Sequence, residues 1–193
     1  SGYQVLHHFR DKDHLSDGVN PAAGLLQGSD GAFYGTTRLG GLTAAGTVFK
    51  LTKNDEAYEY ELLHSFDLST DGGWPVAGLI EASDGWLYGT ASVGGTGSAG
   101  TVFRLNKEGT FAVLWHLHGQ GLSSEGGTPE AALVLGADDW LYGTTSGGGT
   151  AGYGTVFKLK KDGSQGEVLH HFRFGDPTDG GYPKAGLVLG SSG

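Results

Sequence analysis

The chain has 193 residues with a formal net charge of −9, 38 glycines, five prolines, no cysteine and no methionine. The negative balance argues against a phosphate-binding, nucleic-acid surface, which needs Lys and Arg. The missing cysteines exclude a disulfide framework and thiolate metal sites, and no apolar run is long enough to span a membrane as a helix. Because the sequence starts at Ser1 without methionine, a processed product or a fragment of a larger ring is expected.

The predicted elements repeat. Residues 3–9, YQVLHHF, read as a strand from their β-branched and aromatic content, and return as YELLHSF at 60–66, FAVLWHL at 111–117 and EVLHHF at 167–172. We label this strand D of a unit. A turn-rich loop follows, with an acid at Asp17, Asp71, Glu125 and Asp179, and a proline four residues later at Pro21, Pro75, Pro129 and Pro183. Strand A comes next: AGLLQG at 23–28, AGLIEA at 77–82, AALVLG at 131–136 and AGLVLG at 185–190. It is small and apolar, as for a strand buried on both faces.

An Asp-containing turn leads to strand B at 33–37, 87–91 and 141–145, where alternation puts the Tyr and the second-following Thr on one face and the Leu or Phe with Gly on the other. That Gly is expected to admit a ring or backbone at close range. A Gly-rich loop then reaches strand C at 47–51, 101–105 and 155–159. Tyr34, Tyr88 and Tyr142 recur every 54 residues, as do Gly46, Gly100 and Gly154.

A fixed period with four short strands per unit and no helical pattern predicts an all-β fold of β-propeller-type blades, each of four antiparallel strands. A parallel β-helix is the competing architecture. Repeats start near 30, 84 and 138, giving three complete blades, and residues 1–29 and 167–193 supply strands D and A of a fourth, split blade. The whole of 1–193 thus reads as a single repeat domain. Its open strand edges invite a homo-oligomer.

The pattern DGxLYGTTxxGGxxxxGTVFKL, followed by VLHxF and DGGxPxAGL, resembles the Gloeo/Verruco (GloVer) tandem-repeat family over essentially the whole chain. The resemblance implies a repeat of bacterial surface or secreted proteins of the choice-of-anchor type, hence an extracellular or cell-surface location. It supplies no catalytic residues. Glu125, Thr128 and Asp139 depart from the pattern in the third copy.

In a propeller the D–A and B–C loops share a rim. That would gather the acids Asp17, Asp71, Glu125 and Asp179, the rings Trp74 and Tyr182, and the hydroxyls Thr37, Thr90 and Thr145. Rings cover the apolar face of a sugar while carboxylates hold its hydroxyls, so the grouping points to a non-enzymatic, lectin-like module for glycans or another surface ligand. Turn chemistry alone is the competing explanation of the same residues. A polysaccharide lyase or hydrolase is the alternative function, with its asymmetry at Asp11–His14 or Trp115–His118. A structural, assembling repeat is the third. The glycine loops lack the helix and GK[ST] of a phosphate cradle. His7, His64 and His170 fall at equivalent outer-strand positions and do not converge on a metal. No cofactor is expected, although the loop acids Asp11, Asp13, Asp17, Asp176 and Asp179 leave calcium open.

Overall fold

A computed structural model describes residues 2–9, 17–55, 57–119 and 125–190. These form twelve strands and no α-helix. Strands β1 (Leu26–Gln27), β2 (Phe33–Thr37), β3 (Thr47–Asn54) and β4 (Ala57–Ser65) make one sheet. Strands β5 (Ile80–Glu81), β6 (Leu87–Ala91), β7 (Ser98–Leu105) and β8 (Phe111–His118) make the second, and β9 (Val134–Leu135), β10 (Trp140–Thr145), β11 (Thr155–Lys160) and β12 (Gly166–His171) the third. Within each sheet every strand pairs antiparallel with its neighbour in sequence.

The turn into each B strand explains the DGxxY motif. Asp30, Asp84 and Asp138 each accept the backbone N–H two residues on, at 3.1–3.3 Å. Their second oxygen accepts the hydroxyl of Tyr34, Tyr88 or Tyr142 at 2.7–2.9 Å. The carboxylates of Asp30 and Asp84 stay below their ordinary pKa even though burial, the largest influence on them, pushes the other way; hydrogen bonds from the tyrosines and the backbone more than offset it. The tyrosine hydroxyls are correspondingly pushed up, by burial first and then by the adjacent carboxylate.

The sheets pack face to face in chain order. Tyr34, Val48, Leu63 and Phe66 of the first unit share a core with Leu79, Leu87, Phe103 and Leu105 of the second. Tyr88 and Val102, on the opposite face of the second sheet, share the next core with Leu133, Leu141, Phe157 and Leu159. Each B strand therefore turns its Tyr–Thr face forward and its Leu–Gly face back. A Cβ on Gly35, Gly89 or Gly143 would lie 2.5–2.6 Å from the ring tip of Phe49, Phe103 or Phe157. The expected close approach of a ring over this glycine is therefore present in all three sheets.

Polar ties run along the same joints. Thr36, Thr90 and Thr144 donate to the carbonyls of Ala77, Ala131 and Ala185 in the following unit, at 3.2, 3.5 and 3.2 Å. Lys107 of the second unit reaches back to Asp30 (3.8 Å) and also holds Glu81 (2.7 Å). Lys161 of the third unit repeats this with Asp84 (3.3 Å) and Asp139 (2.7 Å).

Three expectations need correction. The A strands are two residues long, not six; in the second and third units the start of the A segment gives its carbonyl to the preceding sheet's threonine instead of to its own ladder. Residues 3–9 form no strand: they lie on the outer face of the first sheet, with His7 stacked on Tyr60 (4.3 Å) and Phe9 edge-on to Phe49 (5.0 Å). Residues 185–190 also form no strand, having no B strand beside them among the described residues.

Candidate ligand-binding rim

In each unit the D–A and B–C loops lie side by side, hydrogen-bonded to each other. Val19 bridges Leu39, Gly73 bridges Val93 and Gly127 bridges Gly147. At the centre sits the residue before each proline. Asn20, Trp74, Thr128 and Tyr182 all adopt the left-handed region, with φ of 54–59°. This conformation is costly for an aromatic and more so for a β-branched residue. The cause lies in the joint. The amides of Trp74, Thr128 and Tyr182 donate at 2.7 Å to the carbonyls of Ala45, Ala99 and Tyr153 in the preceding B–C loop. The carbonyls of Trp74 and Thr128 accept both the amide and the hydroxyl of Ser92 and Ser146. The following prolines press on Gly46, Gly100 and Gly154, where a Cβ would lie 2.6–2.8 Å from the proline ring. The recurring glycine of GTVF and the recurring proline are thus two sides of one contact.

The four recurrent acids face histidines. Asp71 accepts from His64 Nε2 at 3.1 Å and from the Asp67 amide at 3.2 Å. Asp179 accepts from His170 Nε2 (3.1 Å), the Arg173 amide (3.1 Å) and the Gly180 amide (2.8 Å). These bonds hold its carboxyl below the ordinary range, the Gly180 amide contributing most. Asp17 faces His7 at 3.3 Å and Glu125 faces His118 at 3.4 Å. Burial against Phe111 and Phe66 lowers the pKa of His64, with the Asp71 carboxylate opposing. The backbone carbonyls of the same acids are tied too. Asp17 O accepts from the Tyr60 hydroxyl, Asp71 O from Thr101 and Glu125 O from Thr155. The acids therefore belong to the joints, and only the edges of their carboxylates reach the rim.

The hydroxyls do not reach it. Thr37 and Thr145 are fully buried and donate to Leu39 O and Gly147 O, paired respectively with Thr47 and Thr155. Thr90 is buried and donates into the next unit. The expectation that Thr37, Thr90 and Thr145 meet a ligand is corrected: Thr90 lies on the opposite face of its strand from Thr37 and Thr145, and both faces are covered.

The rings do reach it. Trp74 is half-buried, with the Arg38 guanidinium 5.1 Å from its centroid. Tyr182 is 51% exposed, stands edge-on to Tyr153 at 5.4 Å and lies 6.0 Å from Phe174, itself 66% exposed. Tyr153 and Phe174 lie 5.6 Å apart, so the three rings form one exposed cluster. Neither Tyr153 nor Phe174 was singled out in the sequence. The signal was there: Tyr153 stands where the other two copies have Ala45 and Ala99.

The other candidates fall elsewhere. Trp115 packs edge-on to Phe157 at 5.6 Å, within the second joint. His116 and His171 accept the amides of Thr96 and Thr150 and pin the glycine loops, as Ser65 does for Leu42. Asp176 accepts the Thr178 amide and hydroxyl in a local turn. Asp11, Asp13 and His14 lie outside the described residues. Among the described residues no group of three or more His, Asp or Glu is placed to hold a metal ion, and no helix is long and apolar enough to cross a membrane.

Turn, glycine, tyrosine and proline thus recur with the same contacts in each unit, and the family comparison accounts for that recurrence. The chain belongs to the Gloeobacter/Verrucomicrobia repeat family. The family match runs over residues 1–193, so every joint described above lies inside it. A search of curated proteins returns no match. In this Gloeobacter/Verrucomicrobia repeat protein, the residues that keep the 54-residue period build the joints, while the cluster Tyr153–Phe174–Tyr182 is specific to one unit.

Proposed function

We propose that this protein is a non-enzymatic binding module of the cell surface or extracellular space, with its sheets arranged as propeller blades, and that it takes glycans on its aromatic rim. Two features support the blade arrangement. Successive sheets are related by one repeated face-to-face contact, and the A segments lie next to each other: a Cβ on Gly78 would sit 3.6 Å from the Gly24 carbonyl. The observation that carries the binding reading is the exposed cluster of Tyr153, Phe174 and Tyr182, with Asp176 and Asp179 in the same loop as Phe174 and Tyr182. Aromatic faces next to fixed acceptors match the two sides of a pyranose ring. Trp74 with Arg38 is the smaller platform of the same kind at the first joint.

The test is a glycan array probed with the wild type, a Phe174→Ala/Tyr182→Ala double variant and Trp74→Ala. The reading expects wild-type binding that the double variant loses and Trp74→Ala weakens. Wild-type binding that survives loss of all these rings, or no binding to any glycan, would overturn it. An assembling role is the second reading, favoured by Thr36, Thr90 and Thr144 all donating to the unit that follows.

A further inference from the structure

Each joint in this chain has two sides; the forward face of the third sheet stands open, and the back face of the first is covered by residues 3–9 in place of a sheet. Tyr34 and Tyr88 are fully buried by the sheet that follows them, whereas Tyr142, at the same position of the third sheet, is only partly covered. Beside it lies an open cavity of about 490 Å³, lined by Val134, Asp138, Tyr142, Leu187, Val188 and Leu189. Val188 is 91% exposed and Leu189 54%, while Leu79 and Leu133, which match Leu187 in the repeat, are 6% and 2% exposed under their own sheets.

The charges point the same way. Asp30 and Asp84 each receive a lysine from the following unit, Lys107 and Lys161. Asp138 has no such lysine among the described residues. At the opposite end, Lys53 occupies the position of Lys107 and Lys161 in the repeat, is exposed, and has no ion-pair partner among the described residues. The acid without its lysine belongs to the third sheet and the lysine without its acid to the first.

The end segments duplicate each other as well. VLHHF occurs at 5–9 and again at 168–172, and the imidazole-to-phenyl geometry is the same in both, with centroids 4.7 Å apart at 82° for His7–Phe9 and 4.8 Å at 82° for His170–Phe172. AGLLQG at 23–28 likewise matches AGLVLG at 185–190. The segments on one chain's third sheet can therefore take the seats that residues 3–9 and the A segment hold on another chain's first sheet, with like contacts replacing like.

We propose that the outer face of the third sheet docks the first sheet of a second copy of this chain, head to tail, with Lys53 of that copy paired to Asp138. The contact joins different patches, so it propagates into a ring or a filament and does not stop at a two-fold dimer.

Sedimentation velocity and light scattering across a wide range of protein concentration test this. The wild type is expected to exceed its 20.0 kDa monomer mass as concentration rises. Asp138→Lys and Lys53→Asp are each expected to weaken self-association by about tenfold or more, through like charges at the joint. An equimolar mixture of the two variants is expected to restore it, because each then offers the charge the other lacks. That restoration also separates a lost contact from a misfolded variant. A wild type that stays monomeric, association indifferent to either reversal, or a mixture no better than its parts would overturn the proposal. None of these results depends on glycan binding.

Discussion

Replacing Gly89 with alanine asks whether the sheets are as tightly packed as the repeat implies. The added Cβ would lie 2.6 Å from Phe103 Cζ and 2.8 Å from Leu79 Cδ2, against an ordinary carbon contact of roughly 3.5–4.0 Å. Neither neighbour has room to move. Phe103 is fully buried between Phe66 (5.1 Å) and Phe111 (5.4 Å), and Leu79 is 6% exposed. Overpacking of this kind costs about 1–3 kcal/mol. Alanine recovers about 0.5–1 kcal/mol through the lower chain entropy of the unfolded state. The net loss is up to about 2.5 kcal/mol, which for a chain of this length lowers Tm by up to about 10 °C. Gly24→Ala is the control, since no atom lies within 4 Å of its added Cβ, and it should be neutral or stabilising. Thermal and urea unfolding of both variants reads the difference. A Gly89→Ala protein as stable as Gly24→Ala would refute the ring-over-glycine packing.

Three further outcomes are expected. His64 protonates less readily folded than unfolded, so its contribution is complete above about pH 6.5 and is lost as pH falls below it; His64→Phe should flatten the loss of Tm between pH 7.5 and 5.5, and an unchanged profile would contradict this. Thr128→Asn relieves a β-branched residue at φ 57° and matches Asn20 at the equivalent position, so stability should rise by about 0.5–1 kcal/mol in urea unfolding. Lys161→Met removes the clamp on Asp84 and Asp139 and should cost about 0.5–1 kcal/mol at low ionic strength; the deficit should shrink in high salt, as a Tm series with added NaCl would show.

Strands B and C could be read from the sequence because their alternation is strict, and both ladders fall where the period put them. Alternation also grouped Tyr34 with Thr36. It does not say which face meets which neighbour, and so Thr37, Thr90 and Thr145 were expected on the rim although all three are buried. The A segments misled for another reason. An apolar run looks like a strand whether its carbonyls bond within the sheet or, like that of Ala77, across to the next one. The histidine–acid pairs were hidden by loop length: Asp71 follows His64 by seven positions but Asp179 follows His170 by nine, so no fixed spacing advertises the pair. The Tyr153–Phe174–Tyr182 cluster was missed because reading for what recurs passes over the position where one copy differs.

The account rests on each sheet lying face to face against the next, with the loop joints that follow from it. Aromatic nuclear Overhauser contacts in the folded protein test this most directly. Cross-peaks between His64 and Phe111, with ring centroids 3.7 Å apart, and between Phe66 and Phe103, at 5.1 Å, should appear beside the within-sheet pair Phe103–Phe111. A spectrum showing the within-sheet pair without the other two would contradict the stacked arrangement.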